Sequence, residues 1–490
     1  MKPANLLFIL SDQHQAAAMG CAGHPLLHTP NLDRLAESGT RFSKAYTPCA
    51  ICVPARAALA TGQYVHRIGY WDNGNPYDGG VKSWMHRLKE SGYQIDSIGK
   101  LHFRSAEDDN GFTEEIEPLH VVEGIGDPAS GIRDGSLIRN SRGGIDEAGP
   151  GPSTYQAYDI RNRDNALRWL REHGDDDKPW VLFLSFVTPH PPFLSPPDTY
   201  ERYPHDRIEL PPQWRVSDWV KHPAFAYMRR SFGFEEPFDE ATIRRLHAAY
   251  YGICTFLDAQ IGQVLGALDD LNLRERTRII YTSDHGEQLG ARGVFGKITM
   301  YEESSAIPFI MSGPDVPCGQ VVDTPISLID CYPTVLDAVG CPRSDEDGAR
   351  PGESLWPIAH EAGRDRSVFA EYHAVGSRNA YYMLRDRRYK YVYHVAAPPQ
   401  LFDLDADPLE LNDLAIDADA DARELLEKYE VQLRQILDPE AVDARAKAEQ
   451  KRRIDELGGR EAVVARGSFI NSPVPGEEPR FRRLRSAEKP

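Results

Sequence analysis

At 490 residues, with 41% hydrophobic and 27% charged side chains, the chain can bury a large core and has the composition of a soluble globular protein rather than a disordered one. A formal net charge of −18 speaks against a nucleic-acid partner, because phosphate backbones are met by basic faces. Seven cysteines, an odd number without paired spacing, fit a reducing compartment better than a disulfide framework.

The chain opens on an apolar run at residues 6–10, too short for a signal-peptide core and followed by no small-residue cleavage site. It reads as a buried strand. No later stretch approaches the length of a membrane span, so the expectation is a cytoplasmic protein with no membrane partner. Further strands are predicted at 180–187, 278–282 and 307–311, and amphipathic helices at 32–38, 83–90, 162–173 and 243–271. Strands alternating with helices predict an α/β fold with a mostly parallel sheet sandwiched by helices, its ligand site at the carboxyl ends of the strands. Two segments interrupt the alternation: 105–154, rich in Gly, Asp and Ser, and 194–239, rich in Pro and aromatic residues. Both follow chemically suggestive residues and are long enough to be walls or a lid.

From about Phe369 the texture changes. Residues 381–386 and 389–393 read as an antiparallel hairpin, 424–437 and 439–457 as helices, and 471–490 as a polar end rich in Pro and Arg. The expected division is a catalytic unit over 1–368, a small antiparallel sheet over 369–420 and a helical extension over 421–490. The last helices are expected to contact a neighbouring subunit of a homo-oligomer, with a solvated charged helix as the alternative.

Asp12 and Asp284 each follow a predicted strand, and His190 follows another. Singly, such residues are most often caps or turns. Taken with Cys52-Val53-Pro54-Ala55-Arg56 and Thr61-Gly62, they form a longer pattern. C-x-P-x-R with a nearby T-G resembles the signature of the type I sulfatases, members of the alkaline phosphatase superfamily. Ser11-Asp12-Gln13, Gly99-Lys100-Leu101-His102, Thr188-Pro189-His190-Pro191-Pro192, Ser283-Asp284-His285-Gly286-Glu287 and Gly296-Lys297 stand in that family's order, and the likeness runs from Asn5 to about Leu414.

The resemblance implies an alkaline-phosphatase-like fold with a smaller C-terminal sheet, and hydrolysis of a small-molecule sulfate ester. It implies that Cys52 is oxidised by a formylglycine-generating maturation enzyme to Cα-formylglycine, whose hydrate is the nucleophile. It further implies one divalent cation held by Asp12, Gln13, Cys52, Asp284 and His285. Arg56 would neutralise the nucleophilic oxygen, and Lys100, His190 and Lys297 would bind sulfate. His190, helped by Lys297, would assist the leaving oxygen, and His102 would take a proton during sulfate release. Asn73 stands equally as a sulfate donor and as a turn residue. The chain departs from the commonest pattern at Gln13, where a second Asp is usual, and at His285, where Asn is frequent. With one carboxylate fewer and an imidazole added, Mn²⁺ is favoured and Ca²⁺ is the alternative. Two other readings stay open: a phosphonate monoester hydrolase or phosphodiesterase with the same nucleophile, and an inactive relative that only binds sulfated ligands.

Overall fold

The computed structural model describes residues 3–139, 141–174, 176, 178–361, 363–469 and 471–486. Its centre is an eight-stranded sheet. The first strand, Asn5–Asp12, lies between Thr277–Ser283 and Trp180–Pro189 and is buried along its whole length. Beyond Trp180–Pro189 come Gln94–Lys100 and Glu114–Leu119; beyond Thr277–Ser283 come Phe309–Ser312, Gly39–Phe42 and Gln320–Val322. Only Phe309–Ser312 runs against the rest, so the sheet is mixed but mostly parallel.

Strand periodicity splits the apolar run at the start of the chain between two cores. Leu6, Phe8 and Leu10 face one side, with Phe183, Ile280, Trp84 and Val335. Leu7 and Ile9 face the other, with Leu182, Ile279, Trp169, Leu257 and Ile261. The second core is closed by two long helices. Thr154–His173 begins at a capping box between Ser153 and Gln156, and Glu240–Asp270 begins where Asp239 accepts the Thr242 amide. The first of these starts eight residues before the sequence expectation, because its opening turns carry polar and aromatic residues that hide the apolar period. Asp159 in those turns accepts the backbone amides of Val187 and Thr188, tying the helix to the end of the strand Trp180–Pro189.

The C-terminal unit is a consecutive antiparallel sheet of Val368–Tyr372, Tyr381–Arg385, Tyr389–His394 and Gln400–Asp403. Met383, Val392 and Phe402 pack on the catalytic unit, while Tyr382, Leu384 and Tyr391 pack on Tyr429 and Leu433 of the helix Ala420–Ile436. The helix Pro439–Glu456, expected to meet a neighbouring subunit, buries Ala446, Gln450 and Ile454 against its own chain. Gln450 donates to Asp72 Oδ2, Arg453 to the Gly74 carbonyl, and Arg133 pairs with Asp443 at 2.9 Å. The polar end does more than the sequence suggested: after Arg466 it returns over the catalytic unit and ends in a short pairing of Arg485–Ser486 with Leu137–Ile138. Among the described residues, no helix is long and apolar enough to cross a membrane.

Candidate active site

Three strands deliver the chemistry at their carboxyl ends, as an open α/β sheet should. Asp12 ends the first strand, His190 follows Trp180–Pro189, and Asp284 and His285 follow Thr277–Ser283. Cys52 is the first residue of the helix Cys52–Thr61, which ends at Gly62 in the left-handed region, φ 63°. The dipole of that first turn makes position 52 a favourable place for negative charge.

Cys52 Sγ lies 3.1 Å from His285 Nε2 and 3.8 Å from Asp12 Oδ1. His285 Nε2 lies 3.5 Å from Asp284 Oδ1, and the ligand-type atoms of these four buried residues all fall within 4.8 Å of one another. The second oxygen of each carboxylate is already committed. Arg56 Nε donates to Asp284 Oδ2 at 2.8 Å and Arg56 Nη2 to Asp12 Oδ2 at 3.1 Å, while Lys100 Nζ stands 2.7 Å from the same Asp12 oxygen. The two Oδ1 atoms therefore remain turned toward Cys52 and His285. His285 Nδ1 is 3.1 Å from the Gly286 carbonyl, which assigns it the proton and leaves the Nε2 lone pair facing the cluster. Gaps of about 3–4 Å between oxygen and nitrogen donors are what one cation with bonds of about 2.0–2.6 Å needs, so the residues fit a divalent ion.

This geometry revises one expected role. Arg56 Nη1 donates to the Lys100 carbonyl and to Ser185 Oγ, so all three guanidinium nitrogens are engaged. Arg56 clamps the two carboxylates from behind and does not reach toward residue 52. Burial works against charge on Asp12, but Lys100, His190, Arg56 and His285 hold its carboxyl well below the usual range.

Above this floor is a cavity of about 200 Å³ that opens directly on Cys52. Gln13, Asn73, His102, His190 and Lys297 line it. Lys297 Nζ donates to Gln13 Oε1 at 2.6 Å, and the Gln13 Nε2 donates to Glu287. Asn73 Oδ1 accepts the Val53 amide at 3.2 Å, fixing the side chain beside the first turn of the Cys52 helix. His190 Nδ1 donates to the Pro191 carbonyl at 2.8 Å, which leaves Nε2 as an acceptor in the neutral ring. Burial, then Lys297 and Lys100, push the His190 pKa well below the usual imidazole value. Burial pushes Lys297 down, yet Cys52, Asp12 and Asp284 outweigh it and keep the ammonium charged.

Both interruptions of the sequence pattern form walls, as expected: Val121, Asp127 and Arg139 from the first, Phe232 and Phe234 from the second. Sequence reasoning missed two contributors. Glu287, quoted within the Asp284 motif but given no role, accepts the Gly296 amide at 2.6 Å and the Leu289 amide at 2.9 Å, so it sets the turn that presents Lys297. The chain end supplies Ser468, Phe469, Ser472 and Arg482 to the cavity; nothing local to those residues announces it.

The family model "Sulfatase" matches residues 4–341, and the model "N-sulphoglucosamine sulphohydrolase, C-terminal" matches residues 290–438. The choline-sulfatase of Rhizobium meliloti (strain 1021) is 31% identical over 424 residues, covering 84% of this chain and 82% of that protein. Human arylsulfatase K is 29% identical over 446 residues, covering 85% of this chain and 79% of that protein. In fold, the phosphonate monoester hydrolase of Agrobacterium radiobacter superposes with a TM-score of 0.71 at 24% identity, covering 90% of this chain and 96% of that one. With the family model spanning more than half the chain and a sulfatase 31% identical over most of its length, the chain belongs to the sulfatase family and is a sulfuric ester hydrolase.

Proposed function

We propose that the protein hydrolyses a small sulfate monoester at residue 52, matured from cysteine to Cα-formylglycine, beside one divalent cation. The observation that carries this reading is the placement of Cys52: first residue of a helix, within 4.8 Å of the Asp12, Asp284 and His285 ligand atoms, and at the base of the cavity. A cation there would be held by Asp12, Asp284, His285 and residue 52, with Gln13 close by. It would lower the pKa of the attacking hydroxyl and screen charge on the transferring group. The imidazole in the set favours Mn²⁺ over Ca²⁺. The hydrated aldehyde supplies two hydroxyls: one attacks sulfur as the ester S–O bond breaks, and deprotonation of the other re-forms the aldehyde as sulfate leaves.

The chain's own residues do the rest. Arg56 holds Asp12 and Asp284 in place, and Lys100 braces Asp12 from the same side. Lys297, held by Gln13, and the Asn73 amide present donors to the sulfate oxygens. His190 rests neutral; a bound anion offsets Lys297 and Lys100 and raises its proton affinity, so that Nε2 can share a proton with the leaving oxygen. His102 serves as base for the release step. Phe193, Phe232, Phe234 and Phe295 on the walls suit an aryl leaving group. The seven cysteines, none in a disulfide, support a cytoplasmic location.

Initial rates on an aryl sulfate and on a phenyl phosphonate monoester test this reading. A higher kcat/KM on the sulfate is expected; preference for the phosphonate would reassign the substrate, and turnover of neither would reduce the protein to a binding relative.

A further inference from the structure

His102 has one ring nitrogen held and the other bare. Its Nε2 lies 2.9 Å from Ser472 Oγ, 370 residues away in sequence, while Nδ1 is buried with no partner among the described residues. Both residues line the same cavity as Cys52 and both are more than nine-tenths buried.

Ser472 is not on a loose end. Its carbonyl accepts Tyr155 Oη at 2.6 Å, and the Tyr155 ring packs edge-on against His190 with centroids 5.9 Å apart. Two residues on, Val474 joins a buried cluster with Leu119, Tyr155, Tyr158 and Val187. Ser468 exchanges two backbone hydrogen bonds with Arg482, closing the segment into a loop. Ser468 Oγ also accepts Arg139 Nη1 at 2.7 Å and donates to Asp127 Oδ2 at 3.1 Å. The segment after Arg466 is thus tied to the catalytic unit on both flanks of Ser472.

Two proton placements are compatible with the 2.9 Å contact. If Ser472 donated to Nε2, the proton on Nδ1 would be buried without an acceptor. If Nε2–H donates to Ser472, the orphan is only an unused lone pair. A buried donor left unpaired is the rarer and costlier defect, so the second placement is favoured.

We propose that Ser472 is a positioning residue: it accepts the Nε2 proton of His102 and so keeps Nδ1 as the bare nitrogen that takes the proton from residue 52 during sulfate release. This rests on the functional reading above. The chain end then completes the active site rather than merely covering it. In the step concerned, the O–H bond at residue 52 breaks toward Nδ1, its electron pair forms the carbonyl, and the bond from carbon to the sulfate oxygen breaks, with that pair leaving on sulfate.

The test is the isosteric pair Ser472→Thr and Ser472→Val, with Ser472→Ala, all in the full matured chain with an aryl sulfate. Thr and Val share a shape and differ in the hydroxyl. The Thr variant is expected to stay within about threefold of wild type. Val and Ala should lose about 10–100-fold in kcat, the usual cost of removing a residue that orients another, and KM should fall in step, so that kcat/KM stays within about twofold of wild type because the first, S–O-breaking step is untouched. They should also release about one equivalent of phenol per site in a burst before the slow phase, since only the release step is impaired. Equal kcat in Thr and Val, or a fall in kcat/KM without a burst, would overturn the proposal. Should wild type itself not turn over the sulfate, the functional reading fails by itself. The ¹⁵N shifts of His102 then still decide the positioning claim: a protonated Nε2 and bare Nδ1 are expected, and a protonated Nδ1 would overturn it.

Discussion

The floor and the walls of this active site are built on opposite principles. In the floor, Asp12, Arg56, Lys100, Asp284 and His285 are almost wholly buried, and every charge has an opposite charge within 3.1 Å or sits in the donor cluster. Its residues leave strand ends or the first turn of a helix, the parts of the fold least able to move. The walls come from loops and from the chain end, and they offer phenyl rings, Asp127 with Arg139, and Ser472. A buried ion pair tolerates no partial change, because removing one partner strands the other in a poor solvent. A wall of aromatic contacts loses affinity by degrees. Reaction type should therefore be fixed by the floor and substrate choice by the walls.

The sharpest way to break this division is Cys52→Ala. It removes little volume, so the thermal midpoint should move by no more than a few degrees, while kcat for any sulfate ester should fall by about 10⁴-fold or more. Multiple turnover near the wild-type rate would mean that the floor is not the reacting centre. Arg56→Met keeps the length of the side chain but leaves Asp12 and Asp284 without their shared cation. Denaturant unfolding should show a loss of about 3–5 kcal/mol together with lost activity. A stable, inactive protein would instead return Arg56 to the nucleophilic oxygen at residue 52, the role expected from the sequence.

His190 stands where floor meets wall. For basic leaving groups His190→Ala should cost roughly 10²–10⁴-fold, shrinking toward nothing for activated aryl sulfates, which leave as anions without a proton. A plot of log rate against leaving-group pKa should be steeper for the variant; parallel lines would make His190 an anchor for sulfate only. The smallest effect belongs to the wall. Phe469, half-buried at the cavity edge, should on change to Ala raise KM for an aryl sulfate about fivefold, the equivalent of about 1 kcal/mol of aromatic contact, with kcat nearly unchanged. A large fall in kcat there would blur the division.

The same contrast explains what the sequence revealed. Asp12, His190, Asp284 and His285 could be located at strand ends because each abuts an apolar strand, while their roles in the site came only from the resemblance. Four of the eight main-sheet strands and the C-terminal hairpin were legible for the same reason, whereas Gly39–Phe42, Gln94–Lys100, Glu114–Leu119 and Gln320–Val322, short or rich in polar residues, were not. Arg56 was misread although its position was right: on a helix, residues 52 and 56 share a face, and only the tertiary structure shows the guanidinium turned toward two carboxylates. The early start of the helix Thr154–His173 was marked by Ser153 and Gln156, a capping box inside a segment otherwise read as loop. Ser472 had no such mark. Its contact with His102 spans 370 residues and is held by the hydrogen bond to Tyr155 and the packing of Val474.

The most direct test of the account is the mass of the peptide carrying residue 52, measured on preparations co-produced with increasing amounts of maturation enzyme and assayed in parallel on an aryl sulfate. Specific activity should rise in proportion to the aldehyde fraction and extrapolate to zero when the residue is entirely thiol. Full activity in a preparation whose residue 52 is all cysteine would contradict it.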